Sequence, residues 1–394
     1  MFEVPESVRD LRTKVLRFVE DECYPTEAAF ERLPAGPTDL MRGLAEKAKE
    51  RGLWALGHPV EYGGGGLSFV DYSFICEVVG RSEVANFALG TATLQTAKLL
   101  ELRAGPEWKQ RLLPGLVAGE FEVAFAVTEP DVASSDPTQL ATRAALEGDE
   151  WVLNGRKWCI SLLNWSRYVI VMARSEDESA PPHRRFSMFL VPMGTPGLRL
   201  VREVITNHAL SDHWEIELDD CRIPADHILG ERGEGFVQSQ ERLGPGRIYH
   251  CMRTLGMAQR AFDMMCARAN ARILSGRPLA DKQLTRLAAY QSYQEIQACR
   301  LMVLDAAEKL DRGEQARVEL SAIKVECTRM VGRVVDRAVQ IHGAYGLFDE
   351  NPLSRMGGRE LRIADGPDEA HIDRVGRLLL KAYAGGGPGW DFAR

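Results

Sequence analysis

The chain has 394 residues, of which 45% are hydrophobic and 27% charged, and its formal net charge is −7. This composition excludes a disordered, collagen-like or disulfide-rich miniprotein, and the length allows roughly two to three domains. The acidic balance gives no support to nucleic-acid binding, which needs a concentrated basic surface. No apolar run approaches the ~20 residues of a membrane span, and the N-terminal MFEVPESVRD lacks the basic and apolar regions of a targeting signal. We therefore expect a cytoplasmic protein with no membrane span and no nucleic-acid partner.

Residues 1–122 are predicted to form an N-terminal helical domain. Apolar residues recur in its first segment at spacings of three and four, which places them on one helix face: Val8, Leu11, Val15 and Val19. The glycine-rich YGGGGL (62–67) is predicted to be a loop between helical segments.

Residues 123–231 change period and are predicted to form a middle β domain. In FEVAFAVTE (121–129) apolar side chains alternate as in a strand, and WVLNGRKWCIS (151–161) contains Asn154-Gly155, a typical hairpin turn. RYVIVMARS (167–175), FSMFLVPM (186–193) and HWEIELDDCRIP (213–224) are predicted to be further strands. Several short strands at this spacing favour a sandwich or barrel.

Residues 232–394 return to a helical period and are predicted to form a C-terminal four-helix bundle. The apolar stripes that predict it step by three and four: Ile248, Cys251, Leu255, Ala258, Phe262, Met265 and Ala269; Ile296, Cys299, Val303, Ala306 and Leu310; Ile323, Cys327, Met330, Val334, Ala338 and Ile341; Ile372, Val375, Leu379 and Ala382. The predicted fold class is therefore α+β.

The common catalytic and cofactor motifs are missing from the sequence. It lacks GxSxG, HExxH and GxxxxGK[ST], and its glycine-rich stretches do not follow an apolar strand in a βαβ unit. The eight histidines are dispersed, and no two of the eight cysteines have CxxC spacing. We expect no metal site, no Rossmann site, and reduced, mostly buried thiols.

Four segments stand out, and their order along the chain matters. They are AFAVTEPDVASSD (124–136), NGRKWCIS (154–161), VQIHGAYG (339–346) and RIADGPDEAH (362–371). Each has a simple structural interpretation on its own: a loop, a hairpin, a helix C-cap and a helix start. In this order, and across nearly the whole chain, they resemble the acyl-CoA dehydrogenase family. The ADGPDE segment (364–369) is most similar to family members ten and eleven.

The resemblance implies an FAD between the β domain and the C-terminal bundle, with an acyl-CoA thioester against the flavin. The residues that it assigns to FAD are Thr128, Ser134 or Ser135, Trp158, Ser161, Arg272, Gln340 and Gly343. Arg272, Gln340 and Gly343 would reach the FAD of a neighbouring subunit, which implies a homodimer or homotetramer. Cys159 stands where the family has Trp, Pro367 where it has Thr, and Ser275 where it has an aromatic residue.

By the same resemblance Asp365 stands at the position of the family's catalytic glutamate, and Arg247 matches an arginine near that base. The residues alone favour a helix cap at Asp365, since Pro and acidic residues follow it, whereas the resemblance favours the base; Glu369 is the nearest alternative base. Asp is shorter than Glu by one C–C bond, about 1.5 Å, so substrate or backbone must lie closer. We hypothesise that this selects an unusual acyl group, such as a hydroxylated or branched one.

The implied function is FAD-dependent α,β-dehydrogenation of an acyl-CoA, in which Asp365 removes the α-proton and the β-hydride passes to flavin N5. An electron-transfer flavoprotein would be the electron-accepting partner. Two alternatives stay open: a flavin oxidase of the same fold, similar to nitroalkane oxidase, which also uses Asp as base, and a non-catalytic acyl-CoA- or flavin-binding protein.

Overall fold

The computed structural model describes residues 3–30, 38–204 and 213–384. By its internal contacts the chain divides into two compact units. The first, here called the helical unit, comprises Met1–Pro25, Leu67–Ala85 and Gly244–Arg394. The second, here called the strand unit, comprises Thr26–Gly66 and Asn86–Leu243. The boundaries of the three predicted domains stay a prediction.

The bounds of the helices and strands follow the predicted change of period along the chain. The α-helices are α1 (Glu6–Phe18), α2 (Glu27–Phe30), α3 (Asp39–Glu50), α4 (Phe69–Val79), α5 (Glu83–Ala88), α6 (Leu94–Arg103), α7 (Pro106–Val117), α8 (Gly235–Ala271), α9 (Gln283–Asp311), α10 (Arg317–His342) and α11 (Asp368–Tyr383). The strands are β1 (Glu122–Ala126), β2 (Arg143–Glu147), β3 (Glu150–Ser161), β4 (Ser166–Arg174), β5 (Phe186–Pro192), β6 (Leu198–Val204), β7 (His213–Pro224), β8 (Ile228–Leu229), β9 (Ile273–Leu274) and β10 (Arg277–Pro278).

The strand unit contains a mixed eight-stranded sheet in the order β6-β7-β3-β2-β4-β5-β8, with β1 pairing in parallel with β4. Strand β4 is buried on both faces and shares its side chains between two cores. Tyr168, Ile170 and Met172 pack with buried side chains of α6 and α7. Val169 and Val171, on the opposite face, pack among side chains of β1, β2, β3, β5, β6 and β7. The strands therefore enclose a core of their own and cover a second one with helices.

The predicted hairpin turn at Asn154-Gly155 is wrong, because both residues lie inside the continuous strand β3. The turn before β3 falls at Gly148, whose φ is +65°. Asn154 Oδ1 instead accepts a hydrogen bond from Asp220 N at 2.8 Å. Gly155 lies at an irregularity in the β3–β7 register, where a Cβ atom would be 2.5 Å from Thr142 Oγ1. Glycine is thus required here by a close strand approach rather than by a turn.

In the helical unit the predicted apolar stripes of α8, α9 and α10 are confirmed. All their members are buried except Phe262, Leu310 and Ile341, which are partly buried. Two glycines bring α4 against α8: a Cβ on Gly256 would lie 1.8 Å from Glu77 O, and a Cβ on Gly80 would lie 2.1 Å from Arg253 O. The stripe of α11 differs from the prediction, since Ile372 is 47% exposed.

Among the described residues, the helices are too short or too polar for any of them to cross a lipid bilayer.

Candidate active site

Asp365 lies in a tight turn of the helical unit, just before α11. Its φ of +55° is in the left-handed region, which costs a residue with a side chain on the order of 1–3 kcal/mol. The side chain is 15% exposed. Helix α11 begins at Asp368 with Pro367 as its N-cap and without a side-chain cap hydrogen bond. The helix-cap interpretation of Asp365 is therefore wrong, since the N-cap residue is Pro367, two positions later.

Three basic side chains hold the main chain of this turn. Arg247 Nε donates to Asp365 O at 3.1 Å, and His371 Nε2 lies 3.2 Å from the same oxygen. Because a carbonyl only accepts, His371 carries its proton on Nε2. Lys324 Nζ donates to the next carbonyl, Gly366 O. Gly366 has a φ of +106°, and a Cβ there would lie 2.8 Å from His371 Nε2. The structure thus brings Arg247 and Asp365 together, as the sequence predicts.

The Asp365 carboxylate contacts His250, a residue that the sequence analysis missed. His250 Nε2 lies 3.2 Å from Asp365 Oδ2. A signal was present in the sequence, since His250 follows Arg247 by three residues and both lie on α8. Residues at that spacing share a helix face. Only the tertiary structure shows that this face meets the turn at Asp365.

Burial and crowding of positive charge set the electrostatics around Asp365. Burial lowers the pKa of Lys324 to about 8, and the charges of Asp368 and Asp365 oppose that shift. Burial, with the nearby cations of Arg247 and Lys324, lowers the pKa of His371 to about 4. Burial also lowers the pKa of Arg247, and the Asp365 carboxylate opposes this. At neutral pH His371 is therefore an uncharged donor, whereas Arg247 stays a cation.

Glu369, the alternative base, lies on the first turn of α11 with an exposed side chain. Its neighbour Asp368 is 2% exposed and pairs with Arg329 Nε at 2.9 Å and Arg362 Nη2 at 2.8 Å. Burial would raise the pKa of Asp368, but these two guanidinium groups hold it below the ordinary value. Asp368 therefore belongs to a structural ion cluster with Arg329 and Arg362.

In the strand unit Thr128 and Trp158 form a reciprocal pair where β1 has ended. Trp158 N donates to Thr128 O at 3.0 Å, and Thr128 Oγ1 donates to Trp158 O at 2.8 Å. Cys159 has a φ of +53°, and the β3–β7 register is irregular between Lys157 and Ile160. Trp158 and Cys159 therefore form a bulge, which turns the half-buried indole out of the ordinary strand alternation.

A buried ion pair that the sequence analysis missed lies next to this bulge. Lys157 Nζ is completely buried and lies 2.8 Å from Glu129 Oε1. Glu129 is 5% exposed and also accepts from Ala141 N at 2.7 Å and Thr142 N at 3.0 Å. The Glu of TEP and the Lys of NGRKW therefore fix the chain just after β1 against the middle of β3.

The three predicted serines differ in what their hydroxyls do. Ser134 Oγ accepts from Glu129 N at 2.8 Å, so it closes the 129–134 turn. Ser135 is exposed. Ser161, also exposed, lies opposite His213 on β7, with its Oγ 3.4 Å from His213 Nε2. Ser135 and Ser161 are therefore more accessible to a bound group than Ser134.

The remaining predicted residues lie at helix ends of the helical unit. Arg272 follows the last residue of α8 and precedes the β9–β10 hairpin, with its side chain exposed. Gln340 is exposed in the last turn of α10, and Gly343 is the C-cap of that helix, with a φ of +66°. The C-cap interpretation of this segment is therefore correct. It is compatible with a binding role, since the space where a Cβ would stand on Gly343 is open.

The donors in each unit suit the parts of an FAD that the resemblance assigns to them. Thr128 Oγ1 donates to a carbonyl but keeps lone pairs that can accept from an N–H, such as that of a flavin pyrimidine ring. Trp158 offers a flat aromatic face in the same unit. In the helical unit, an exposed arginine and an exposed glycine turn suit a pyrophosphate, which guanidinium and backbone N–H groups bind.

Comparison with known proteins relates these features to one family. Residues 5–120 match the N-terminal domain of acyl-CoA dehydrogenase, residues 124–221 its middle domain and residues 233–380 its C-terminal domain. The predicted fold class is thereby confirmed as an N-terminal helical domain, a middle sheet domain and a C-terminal helical domain.

Curated relatives and solved structures agree with this assignment. The chain is 38% identical over 397 residues to the probable acyl-CoA dehydrogenase FadE2 of Mycobacterium tuberculosis, covering 96% of this chain and 97% of the relative. It is 37% identical to acyl-CoA dehydrogenase family member 10 of Mus musculus and to family member 11 of Homo sapiens, and each alignment covers 95% of this chain. It spans only 37% and 50% of those two relatives' lengths.

The structure of butyryl-CoA dehydrogenase from Megasphaera elsdenii superposes with a TM-score of 0.87 at 25% identity, over 96% of this chain and 100% of that one. The predicted resemblance, including its closeness to members ten and eleven, is confirmed. The chain belongs to the acyl-CoA dehydrogenase family and is an oxidoreductase of that kind.

Proposed function

We propose that the protein is an FAD-dependent acyl-CoA dehydrogenase that uses Asp365 as its base. One observation carries this proposal: a largely buried carboxylate, at the position of the family's base, stands on a strained turn whose carbonyl is bound by Arg247. Strained backbone persists only where the surrounding structure holds it, and such positions cluster at functional sites. A cap or a surface aspartate would not need this arrangement.

The chain's own residues would bring the base to the substrate and keep it ionised. Asp365 takes the α-proton of the acyl-CoA thioester, a contribution of roughly 10²–10⁴-fold for a positioned general base. Arg247 fixes the main chain beneath it, since its Nε binds the carbonyl of Asp365. Because the Asp side chain is short, we retain the hypothesis that an unusual acyl group, hydroxylated or branched, brings the α-carbon closer.

FAD supplies the acceptor for the β-hydride when it is bound. Thr128, Trp158, Ser161 and Ser134 or Ser135 would hold it in the strand unit, with Ser135 favoured by its exposure. Arg272, Gln340 and Gly343 would bind the FAD of a second copy of this chain.

A homodimer or homotetramer fits the surface of the helical unit, where α9, α11 and the β9–β10 hairpin expose large apolar side chains. They are Ile273, Leu274, Leu284, Leu287, Tyr290, Tyr293, Leu301, Ile372, Leu380 and Tyr383. We further propose that an electron-transfer flavoprotein accepts the electrons, and a cytoplasmic location stays a prediction.

Anaerobic titration with a panel of acyl-CoAs tests the function directly. The purified protein should carry FAD, and at least one thioester should bleach the flavin absorbance. Asp365→Asn should bind FAD but reduce it at least 10²-fold more slowly, whereas Asp365→Glu should lose less. Asp373→Asn is the matched control, since Asp373 is 66% exposed on α11 and pairs only with a surface arginine among the contacts that the structure describes. Equal, near-complete loss in Asp365→Asn and Asp365→Glu would contradict the spacing argument.

The alternatives give other results in the same titration. Rapid hydrogen peroxide production without an added acceptor, with bleaching by nitroalkanes, would identify the oxidase. Bound FAD with no spectral change on adding any acyl-CoA would identify a non-catalytic binding protein.

A further inference from the structure

We propose that His250 and Arg253 form a positioning chain that orients the Asp365 carboxylate. The inference rests on the proposed function of Asp365 as base. Both residues lie on α8, three positions apart and so on one helix face. His250 Nε2 lies 3.2 Å from Asp365 Oδ2, and Arg253 Nη2 lies 2.7 Å from His250 Nδ1.

The chemistry of the guanidinium group fixes the direction of this chain. An arginine has five N–H donors and no acceptor, so its contact with His250 requires a bare Nδ1 with a lone pair. The proton of the neutral imidazole must then lie on Nε2, which faces Asp365. An Nδ1 that carried a proton would have no lone pair to accept this hydrogen bond. Arg253 therefore donates to His250, and the protonated Nε2 of His250 faces Asp365 Oδ2 at 3.2 Å.

The fold holds Arg253 in place from its other side. Its backbone carbonyl packs so closely against Gly80 that a Cβ there would lie 2.1 Å away. Its Nη1 lies 3.8 Å from Glu83 Oε1. Helices α4 and α8 also meet at Gly256, so backbone contacts fix the position of this turn of α8 relative to α4. The positioning chain thus begins at Arg253, on a rigid part of the helical unit, and ends at the Asp365 carboxylate.

The proposed role of His250 is to hold one carboxylate oxygen and favour the ionised form of Asp365. A hydrogen bond donated to a carboxylate stabilises its charged state. Among the described residues, the other charged or titratable groups around this turn include Arg247 on α8, Lys324 on α10, and Asp368, His371 and Arg374 on α11. Of these, Arg247, Lys324 and His371 bind backbone carbonyls of the turn. Their contribution to the pH profile should therefore persist when His250 is replaced.

The tautomer of His250 gives a test that needs no turnover. Protein labelled with [¹⁵N]histidine should show, near neutral pH, an imidazole with a bare Nδ1 and a protonated Nε2, assigned by its loss in His250→Gln. His342 provides an internal reference of opposite tautomer, since its Nδ1 lies 2.8 Å from the carbonyl of Ala338 and must donate to it. Arg253→Met removes the donor that requires a bare Nδ1 on His250, so this variant should show a mixture of the two tautomers. Arg260→Met, which removes another guanidinium from α8, should leave the signal unchanged. A His250 signal with a protonated Nδ1 would overturn the proposal.

Kinetics of flavin reduction by the best acyl-CoA test the consequence. His250→Leu removes the donor, so the rate should fall about ten- to a hundredfold, the value of one hydrogen bond to a charged group. The acid limb of its pH profile should move to higher pH. His250→Gln can still donate an N–H and should recover most of the rate. The same rate and the same profile in His250→Leu as in the native protein would refute the positioning role while the proposed function stands. If no thioester reduces the flavin of the native protein, the proposed function fails. The tautomer measurement still decides whether His250 and Arg253 form the positioning chain.

Discussion

The buried ion pair of the strand unit should be its most sensitive point to substitution. Lys157 Nζ is fully buried and donates to Glu129 Oε1 and to Val127 O, each at 2.8 Å. Burial lowers the pKa of Lys157 to about 8, although the charge of Glu129 opposes the shift. The cation is therefore costly to bury and is kept charged at neutral pH by its partner.

Lys157→Met keeps most of the side-chain volume and removes the charge. It leaves the Glu129 carboxylate without its cation, and the carbonyl of Val127 without its donor. Removing one partner of a buried pair costs about 3–5 kcal/mol. Two backbone N–H groups still bind Glu129, which places our expectation at the lower end of that range. Lys157→Met/Glu129→Gln should recover part of the loss, because a neutral amide needs no cation.

Urea unfolding at fixed protein concentration, followed by tryptophan fluorescence, measures this loss. Arg199→Met is the control, since Arg199 is 63% exposed and its partner Glu217 is 35% exposed, and such pairs contribute less than about 1 kcal/mol. The pair lies next to Thr128 and Trp158, so FAD retention on gel filtration should fall together with stability. If Lys157→Met unfolds at the same urea concentration as Arg199→Met, the reasoning about the buried charge is wrong.

Two further perturbations have directions that the structure fixes. Gly256→Ala should lower the melting temperature, because the new Cβ would lie 1.8 Å from Glu77 O. This clash should outweigh the helix propensity of alanine, which exceeds that of glycine by about 1 kcal/mol. An unchanged or raised melting temperature would contradict the close helix approach. Burial, then the charge of Lys98, lowers the pKa of His58 to about 4 in the folded chain, below the 6.5 of an exposed histidine. The unfolded chain therefore binds a proton first, and folded stability should fall by up to about 3 kcal/mol as the pH drops from 6.5 to about 4. His58→Gln should flatten that dependence of the melting temperature on pH, whereas His183→Gln, on an exposed turn, should retain it.

The helices and strands could be predicted because their apolar residues repeat with the period of the element. The stripes of α8, α9 and α10 became buried faces, and β4, with apolar residues at nearly every position, became a strand buried on both sides. Local turn preference was less reliable. Asn154-Gly155 has the composition of a type I′ turn, but its neighbours pair with β7, so tertiary pairing overrode the dipeptide.

The site residues could be predicted only as far as the family resemblance extends. Thr128, Trp158 and Asp365 are proposed as site residues because short motifs mark them. The partners that hold these residues were not found, since they come from distant parts of the chain. Lys157 and Glu129 are 28 positions apart, and no spacing rule joins a strand end to the middle of another strand.

The contacts around Asp365 suggest how a carboxylate can be fixed in space and still be basic. Each donor that binds a carboxylate oxygen stabilises its charged form and so weakens it as a base. Arg247 and His371 bind the carbonyl oxygen of Asp365, and Lys324 binds that of Gly366. These three donors hold the strained turn through its backbone carbonyls. His250, an uncharged donor by the tautomer argument, is the weaker kind of partner to place on the carboxylate itself. A cation in that position would fix the side chain equally well but would lower the affinity of the carboxylate for the α-proton.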